Sequence, residues 1–270
     1  MGAAAAAAAP VPEAAKALAV LPWPQALRSL VFTSMTTPLA EVELPQSLEH
    51  LDLLQCPDQD LDHVKWPRRL RSLRLPSMYN RPLEGVDWPL TLTQLHLGAK
   101  FDRTFTTRLV WPLGLRKLTL SGCLRRPVHN ARWPDSLAEL HMGFLYDQPL
   151  QRINWPRGLR LLALSARYGR PLDGVRLPDG LEELRLGENF NHPISGVKWP
   201  PQLKRLVMSF HFNQPVDKVH WPPRLEELHF GFGFDQSVEG VQWPETLRVL
   251  IVPRSAEYTM PGGGNWAARW

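Results

Sequence analysis

One dipeptide recurs along the chain at a nearly constant interval. Trp23, Trp66, Trp88, Trp111, Trp133, Trp155, Trp199, Trp221 and Trp243 each precede a proline, and Leu44-Pro45 and Leu177-Pro178 fill the two gaps. The eleven anchors are 21, 22, 22, 23, 22, 22, 22, 22, 22 and 22 residues apart. Only Trp266 and Trp270 of the 11 tryptophans stand outside this pattern. A fixed period in this range is the signature of a stacked-repeat architecture, in which each unit buries its apolar face only against its neighbours.

With the anchor as slot 1, the consensus is W-P-x-x-L-x-x-L-x-L-G-x-x-F-N-x-P-L-x-G-V-x, clearest from Leu177 to Lys198. Leucines two apart, such as Leu184 and Leu186, have strand periodicity with one face buried. Gly or Ser in slot 11 ends the strand where the chain turns. Asn or Asp in slot 15 (Asn80, Asp102, Asp147, Asn191, Asn213, Asp235) suits a turn through side-chain bonds to nearby backbone. Proline in slot 17 fixes an extended corner. Twenty-seven prolines in 270 residues, two of them in most units, exclude long helices. The expected fold is therefore a mainly β, leucine-rich-repeat-like solenoid of ten to eleven 22-residue units, with a parallel sheet on one face about 50 Å long at roughly 4.8 Å per strand. Trp66, Trp88, Trp111, Trp133, Trp155, Trp199, Trp221 and Trp243 are expected to form an indole column along its core. The solenoid is placed at 21–252, an Ala-rich leader, disordered or weakly helical, at 1–20, and a tail or loose cap at 253–270.

L-x-x-L-x-L in a unit of this length is the leucine-rich-repeat signature. The finer pattern, FNHPI at 190–194 and FNQPV at 212–216 with near copies YDQPL at 146–150 and FDQSV at 234–238, resembles the FNIP repeat, a leucine-rich-repeat relative. Members of that family often join these repeats to an F-box that recruits substrates for ubiquitin ligation. The 22 residues before Trp23 are too few for one, so the resemblance implies a repeat protein without an F-box and without the ligase role. The chain also resembles the bacterial L-P-x-x-L-x-x-L-x-L effector repeat. The roughly 18 residues after the last strand hold no cysteine for the ligase domain such effectors can carry.

Catalytic signatures are missing. No G-x-x-x-x-G-K-[ST], G-x-S-x-G or H-E-x-x-H occurs. Cys56 and Cys123 fall three units apart, near 15 Å, too far for a disulfide, which fits free thiols in a reducing compartment. His96, His141 and His229 share slot 9, but units two apart put backbones roughly 10 Å from each other, too far to converge on zinc. The expectation is no enzyme, no cofactor and no metal site. No apolar run approaches the roughly 20 residues of a membrane helix. The leader has neither a secretory pattern nor, with Ala6 where Ser or Thr is required, a myristoylation one. A cytoplasmic or nuclear location follows as the expectation.

Two surfaces remain as candidates for a partner. The exposed strand face, slots 7 and 9, carries Arg74, His96, Lys117, Glu139, His141, Glu183, Arg185, Arg205, Glu227 and His229. Lys117 beside Glu139, and Arg205 between Glu183 and Glu227, read as cross-strand charge pairs. The second surface is a basic column. Net charge is +5, yet residues 65–176 hold 20 Lys/Arg against 7 Asp/Glu, while 1–64 hold 2 against 8 and 177–270 hold 9 against 11. Arg81, Arg103, Arg126 and Arg170 line up in slot 16, and Arg71, Arg116 and Arg160 in slot 6. The reading is a non-catalytic scaffold that binds another protein, an acidic segment in the case of the basic column. Nucleic acid is the alternative, since a basic stripe is its electrostatic footprint, although no exposed aromatic set interleaves with the arginines for base stacking. A further alternative is a repeat protein with no specific partner.

Overall fold

The computed structural model describes residues 22–35 and 37–253. The Ala-rich leader and nearly all of the tail, with their expected roles, lie outside the described residues. Each unit contributes one three-residue strand: β1 (Ser29–Val31), β2 (His50–Asp52), β3 (Ser72–Arg74), β4 (Gln94–His96), β5 (Lys117–Thr119), β6 (Glu139–His141), β7 (Leu161–Ala163), β8 (Glu183–Arg185), β9 (Arg205–Val207), β10 (Glu227–His229) and β11 (Val249–Ile251). They form one parallel sheet in sequence order, and the central leucine of each strand registers with that of the next, as in Leu184 with Leu206. One short 3-10 turn, Leu39–Glu41, is the only helix among the described residues.

Three β-turns replace the helix that a longer repeat would carry. The first runs from the proline of slot 2 to the leucine of slot 5, as in Leu181 N–H to the Pro178 carbonyl at 3.0 Å. The second closes slot 11 on slot 14, as in Phe234 to Gly231 at 3.1 Å, and the third closes slot 18 on slot 21, as in Val197 to Ile194 at 3.2 Å. The residue that closes each turn is apolar and points inward, so the turn bonds and the core are built by the same slots. Leu181, Leu184, Phe190 and Ile194 are fully buried in one unit alone. Stacking repeats these into columns, with Phe190, Phe212 and Phe234 as an aromatic spine at centroid spacings of 6.3 and 6.1 Å.

The tryptophans form the expected stack, but at a corner. Trp111, Trp133 and Trp221 are buried, whereas Trp66, Trp88, Trp155, Trp199 and Trp243 are half-buried and pack against the core. Trp66 and Trp88 stack at 6.4 Å, Trp111 and Trp133 at 5.9 Å, Trp221 and Trp243 at 5.6 Å. Seven of these indole N–H groups, from Trp66 to Trp221, are buried without a protein acceptor. The ring is therefore there for its area rather than its polar group, which explains why Leu44 and Leu177 substitute for it.

Slot 15 works differently from the local turn expected of it. Its side chain reaches forward to the next unit. Asn191 Oδ1 accepts from the Asn213 N–H at 2.8 Å, Asn213 Oδ1 from the Asp235 N–H at 3.0 Å, and Asn80 Oδ1 from the Asp102 N–H at 3.0 Å. A turn that its own residues cannot satisfy is thus paired by its neighbour, as buried or half-buried backbone donors require.

A second period is visible once the units are stacked. Slot 11 alternates: Gly98, Ser121, Gly143, Ser165, Gly187, Ser209, Gly231. Each of these glycines lies against the backbone of the unit before it, so that a Cβ on Gly187 would stand 1.5 Å from the Ser165 carbonyl oxygen, and one on Gly143 or Gly231 2.0 Å from that of Ser121 or Ser209. The three serines are buried, and their hydroxyls donate to carbonyls of the preceding unit, Ser121 to Ala99 at 2.6 Å, Ser165 to Tyr146 and Ser209 to Phe190. The packing unit of the solenoid is therefore a pair of repeats.

Candidate functional site

The strand face is built by slots 7 and 9, which flank the buried leucine of slot 8 and so point away from the core. The two-repeat period governs it. Glu139 and His141 on β6, Glu183 and Arg185 on β8, and Glu227 and His229 on β10 place an acid and a base on every second strand. The strands between them carry Lys117 and Thr119, Leu161 and Ala163, Arg205 and Val207. The same acid–base set thus repeats at roughly twice the 4.8 Å strand spacing, near 10 Å.

These charges are largely satisfied among themselves. Lys117 Nζ lies 2.8 Å from Glu139, and Arg205 Nε lies 3.3 Å from Glu227 and 3.8 Å from Glu183. Glu183 also holds Arg185 at 2.6 Å, and Arg74 pairs with Asp52 at 3.1 Å. His141 and His229 sit 3.9 and 3.6 Å from the glutamates of their own strands. Burial, and then Lys117, hold the His141 imidazole below its ordinary pKa despite the pull of Glu139. Burial and Arg205 do the same to His229, and burial with Arg74 and Lys117 to His96. Toward the first strands the face changes character. A shallow depression of about 320 Å³ lies over β1 to β4, and Ser29, His50, Ser72, Gln94 and His96 line it without a side-chain hydrogen bond among the described residues.

The basic column divides into two. In slot 16, arginine reaches back to the preceding unit and locks the slot 15 ladder: Arg81 lies 3.3 Å from Asp58, Arg126 3.8 Å from Asp102 and Arg170 3.3 Å from Asp147, while Arg103 donates to the Asn80 carbonyl at 2.9 Å. These four are neutralised or spent on the chain itself. In slot 6 the cations follow the two-repeat period: Arg28, Arg71, Arg116, Arg160, Lys204 and Arg248 alternate with Glu49, Thr93, Ala138, Glu182 and Glu226. Glu182 takes Arg160 at 3.3 Å and Lys204 at 2.9 Å, and the Lys204 hydrogen bond lowers its carboxyl pKa. Arg71 and Arg116 are exposed and form no ion pair among the described residues.

Sequence reasoning missed two features. The Gly/Ser and acid/base alternation is present in the residues and emerges when units are compared in pairs. The exposed Phe144, Phe210 and Phe232, all in slot 12, supply surface aromatics that inspection of the arginine-rich units alone does not reveal. Cys56 is buried, with its thiol pKa raised by burial and by Asp52, and no group of three His, Cys, Asp or Glu converges to hold a metal among the described residues.

No protein-family model and no curated protein matches the chain. Among solved structures it is similar to CroV588, described as a novel circular leucine-rich-repeat protein, at 22% identity and a TM-score of 0.54. The chain is a leucine-rich-repeat-like solenoid. The similarity covers 85% of the solenoid chain and 43% of CroV588, so the chain spans less than half of that protein's length. An internalin from Listeria monocytogenes is similar at 17% identity and a TM-score of 0.49, over 81% of this chain and 71% of that one. YopM from Yersinia enterocolitica is similar at 20% identity and 0.30, over 80% and 64%. At these identities the likeness concerns the fold.

Proposed function

We propose that this solenoid is a non-catalytic scaffold of the FNIP-repeat type that binds a partner protein along its strand face. The observation that supports it is the repeated acid–base set of β6, β8 and β10, an ordered charged surface on which no side chain is arranged as a nucleophile with a base. Extended faces of this kind are the usual binding surfaces of solenoids. The reading includes a reducing, cytoplasmic or nuclear setting, which suits the free Cys56 and Cys123. A second reading, polyanion binding, is favoured by the unpaired Arg71 and Arg116.

Affinity capture from lysate of the source cells, at low and moderate salt and with nuclease, tests both. The expected result is a protein partner that survives nuclease and is lost on Glu183→Lys/Glu227→Lys but retained on Arg103→Glu/Arg126→Glu. Partners released by nuclease, with a steep salt dependence, support the polyanion reading instead. Partners indifferent to the strand-face reversal overturn the assignment of the surface.

A further inference from the structure

The three most exposed large apolar side chains among the described residues lie together, away from the strand face. They are Leu90 at 82%, Leu113 at 77% and Val110 at 70% exposure. Leu90 and Leu113 occupy slot 3 of adjacent units. Elsewhere from unit 44 onward that slot holds Gln46, Arg68, Asp135, Arg157, Asp179, two prolines and Glu245, and no other leucine. Val110 ends the single 23-residue unit, at the place where other units carry Lys65, Asp87, Arg132, Asn154 or Arg176. The only irregularity in the period from Leu44 onward therefore coincides with three apolar residues in slots that otherwise hold polar residues or proline.

The backbone under the patch is tied to the neighbouring units. Gly114 packs over the Leu90 carbonyl, where a Cβ would lie 3.5 Å away, and Ser136 Oγ donates to the Leu113 carbonyl at 2.7 Å. Thr91 Oγ1 likewise donates to the Leu70 carbonyl at 2.8 Å. Leu90 and Leu113 are thus one repeat apart, roughly 4.8 Å. In the neighbouring slots stand Arg68, Arg69, Arg71, Arg116, Arg132 and Arg157, all exposed and none in an ion pair among the described residues. The nearby acids in the same slots are Glu49, which faces Arg28 at 3.9 Å, Asp87 and Asp135, so six arginines outnumber the acids and the surround is cationic.

We propose that this edge is a docking surface for an acidic amphipathic helix of a partner protein, whose apolar face covers Leu90, Val110 and Leu113. The proposal rests on the scaffold reading and gives the partner's chemistry. A helix rises about 1.5 Å per residue, so side chains three apart advance about 4.5 Å, close to the repeat spacing. From Arg68 to Arg157 is four repeats, about 19 Å, which about 13 helical residues span. Carboxylates flanking the apolar row then meet the arginines that the chain leaves unpaired. An isolated apolar patch ringed by cations favours a partner that is apolar and acidic at once.

The test is fluorescence anisotropy with a labelled 15-residue peptide rich in glutamate, with leucines at i, i+3 and i+7, against a scrambled peptide of equal composition. Phosphatidylserine vesicles and single-stranded DNA are titrated in parallel. The expected result is binding of the amphipathic peptide alone, weakened about tenfold or more by Leu90→Ser/Leu113→Ser and by Arg68→Glu/Arg116→Glu, and unchanged by Lys218→Glu. The leucines are exposed, so their replacement leaves thermal unfolding unaltered. Equal binding of the scrambled peptide, binding of vesicles or DNA in its place, indifference to the leucine variant, or no binding at low salt each overturns the inference. Because the Glu183→Lys/Glu227→Lys capture reads a different face, the scaffold reading stands or falls separately.

Discussion

Gly187→Ala is expected to be among the most destabilising single changes in the molecule, although it adds only one methyl group, at a buried turn just after β8. The new Cβ would stand 1.5 Å from the Ser165 carbonyl oxygen and 2.5 Å from its carbon, both backbone atoms that cannot rotate away. Gly187 has no left-handed backbone to complicate the comparison, so the cost is steric and falls on the contact between two repeats. Two other glycines calibrate it. Gly122 meets its nearest atom, the Ala99 carbonyl oxygen, at 3.7 Å, an ordinary contact, while Gly174 has φ of 71° and nothing within 4 Å. Gly122→Ala is expected within about 0.5 kcal/mol of the parent. Gly174→Ala is expected to cost about 1–2 kcal/mol, the price of a left-handed conformation for a residue with a Cβ. Gly187→Ala requires the repeats to part and is expected to cost about 3 kcal/mol or more, above ordinary overpacking. Because solenoid stability is a sum of nearest-neighbour terms, the loss is local and uncouples β1–β7 from β8–β11. Urea unfolding followed by tryptophan fluorescence should then show two transitions where the parent shows one. A single transition for Gly187→Ala within 1 kcal/mol of Gly122→Ala would refute the paired-repeat packing.

Other changes follow from the same packing. Trp155→Leu should cost under about 2 kcal/mol in urea unfolding, because it removes a buried indole N–H that has no acceptor and installs the residue already found at 44 and 177, whereas Leu162→Ala in the fully buried strand column should cost about 2–5 kcal/mol. Asn191→Ala strips the Asn213 N–H and the Gln214 amide of their shared acceptor at 2.8 and 3.0 Å, and should cost about 0.5–1 kcal/mol at this exposed site; Asn191→Asp keeps the acceptor and should recover most of it. His96, His141 and His229 all have lowered pKa values in the folded chain. Above the unfolded value of about 6.5 they contribute nothing, and as pH falls below it the unfolded chain takes up protons first, so stability drops until the folded imidazoles also protonate. Replacing all three with glutamine should flatten that acid limb in a thermal-unfolding series from pH 7 to 5, and an unchanged slope would show that carboxylates, not these histidines, set it.

How much of this was legible in the residues depends on the distance over which each signal acts. Leu184 and Leu186 reveal the strand because alternation is local, and the slot 1 tryptophans reveal the stack because one position repeats eleven times. A single repeat presents slot 15 as a local turn, because the bond between Asn191 and Asn213 crosses from one repeat to the next. The slot 16 arginines looked free for the same reason. Arg126 and Arg170 lie in line with one another in sequence, but each leans back onto an aspartate one slot earlier in the preceding repeat. Leu90 and Leu113 are apolar by type, and only their slot places them in water.

Regularity and specificity pull in opposite directions on such a surface. The acid–base sets of β6, β8 and β10 are alike, so a partner that reads charge alone along the strand face fits equally well after sliding by two repeats, about 10 Å. A register slip of this kind is the weakness of any periodic interface, and it is removed by a feature that occurs once. The 23-residue unit supplies such a feature. It adds the exposed Val110 three residues before Leu113, at one location along the solenoid. Partner affinity can be spread over the ladder, but partner position must be set where the period breaks. A two-unit deletion of Glu183–Glu226, which preserves the Gly/Ser alternation, the 23-residue unit and every arginine of the docking surface, should therefore leave helix docking at Leu90 and Leu113 intact while shortening the strand face. Loss of peptide binding in that variant, with one cooperative unfolding transition retained, would show that position is read from the ladder.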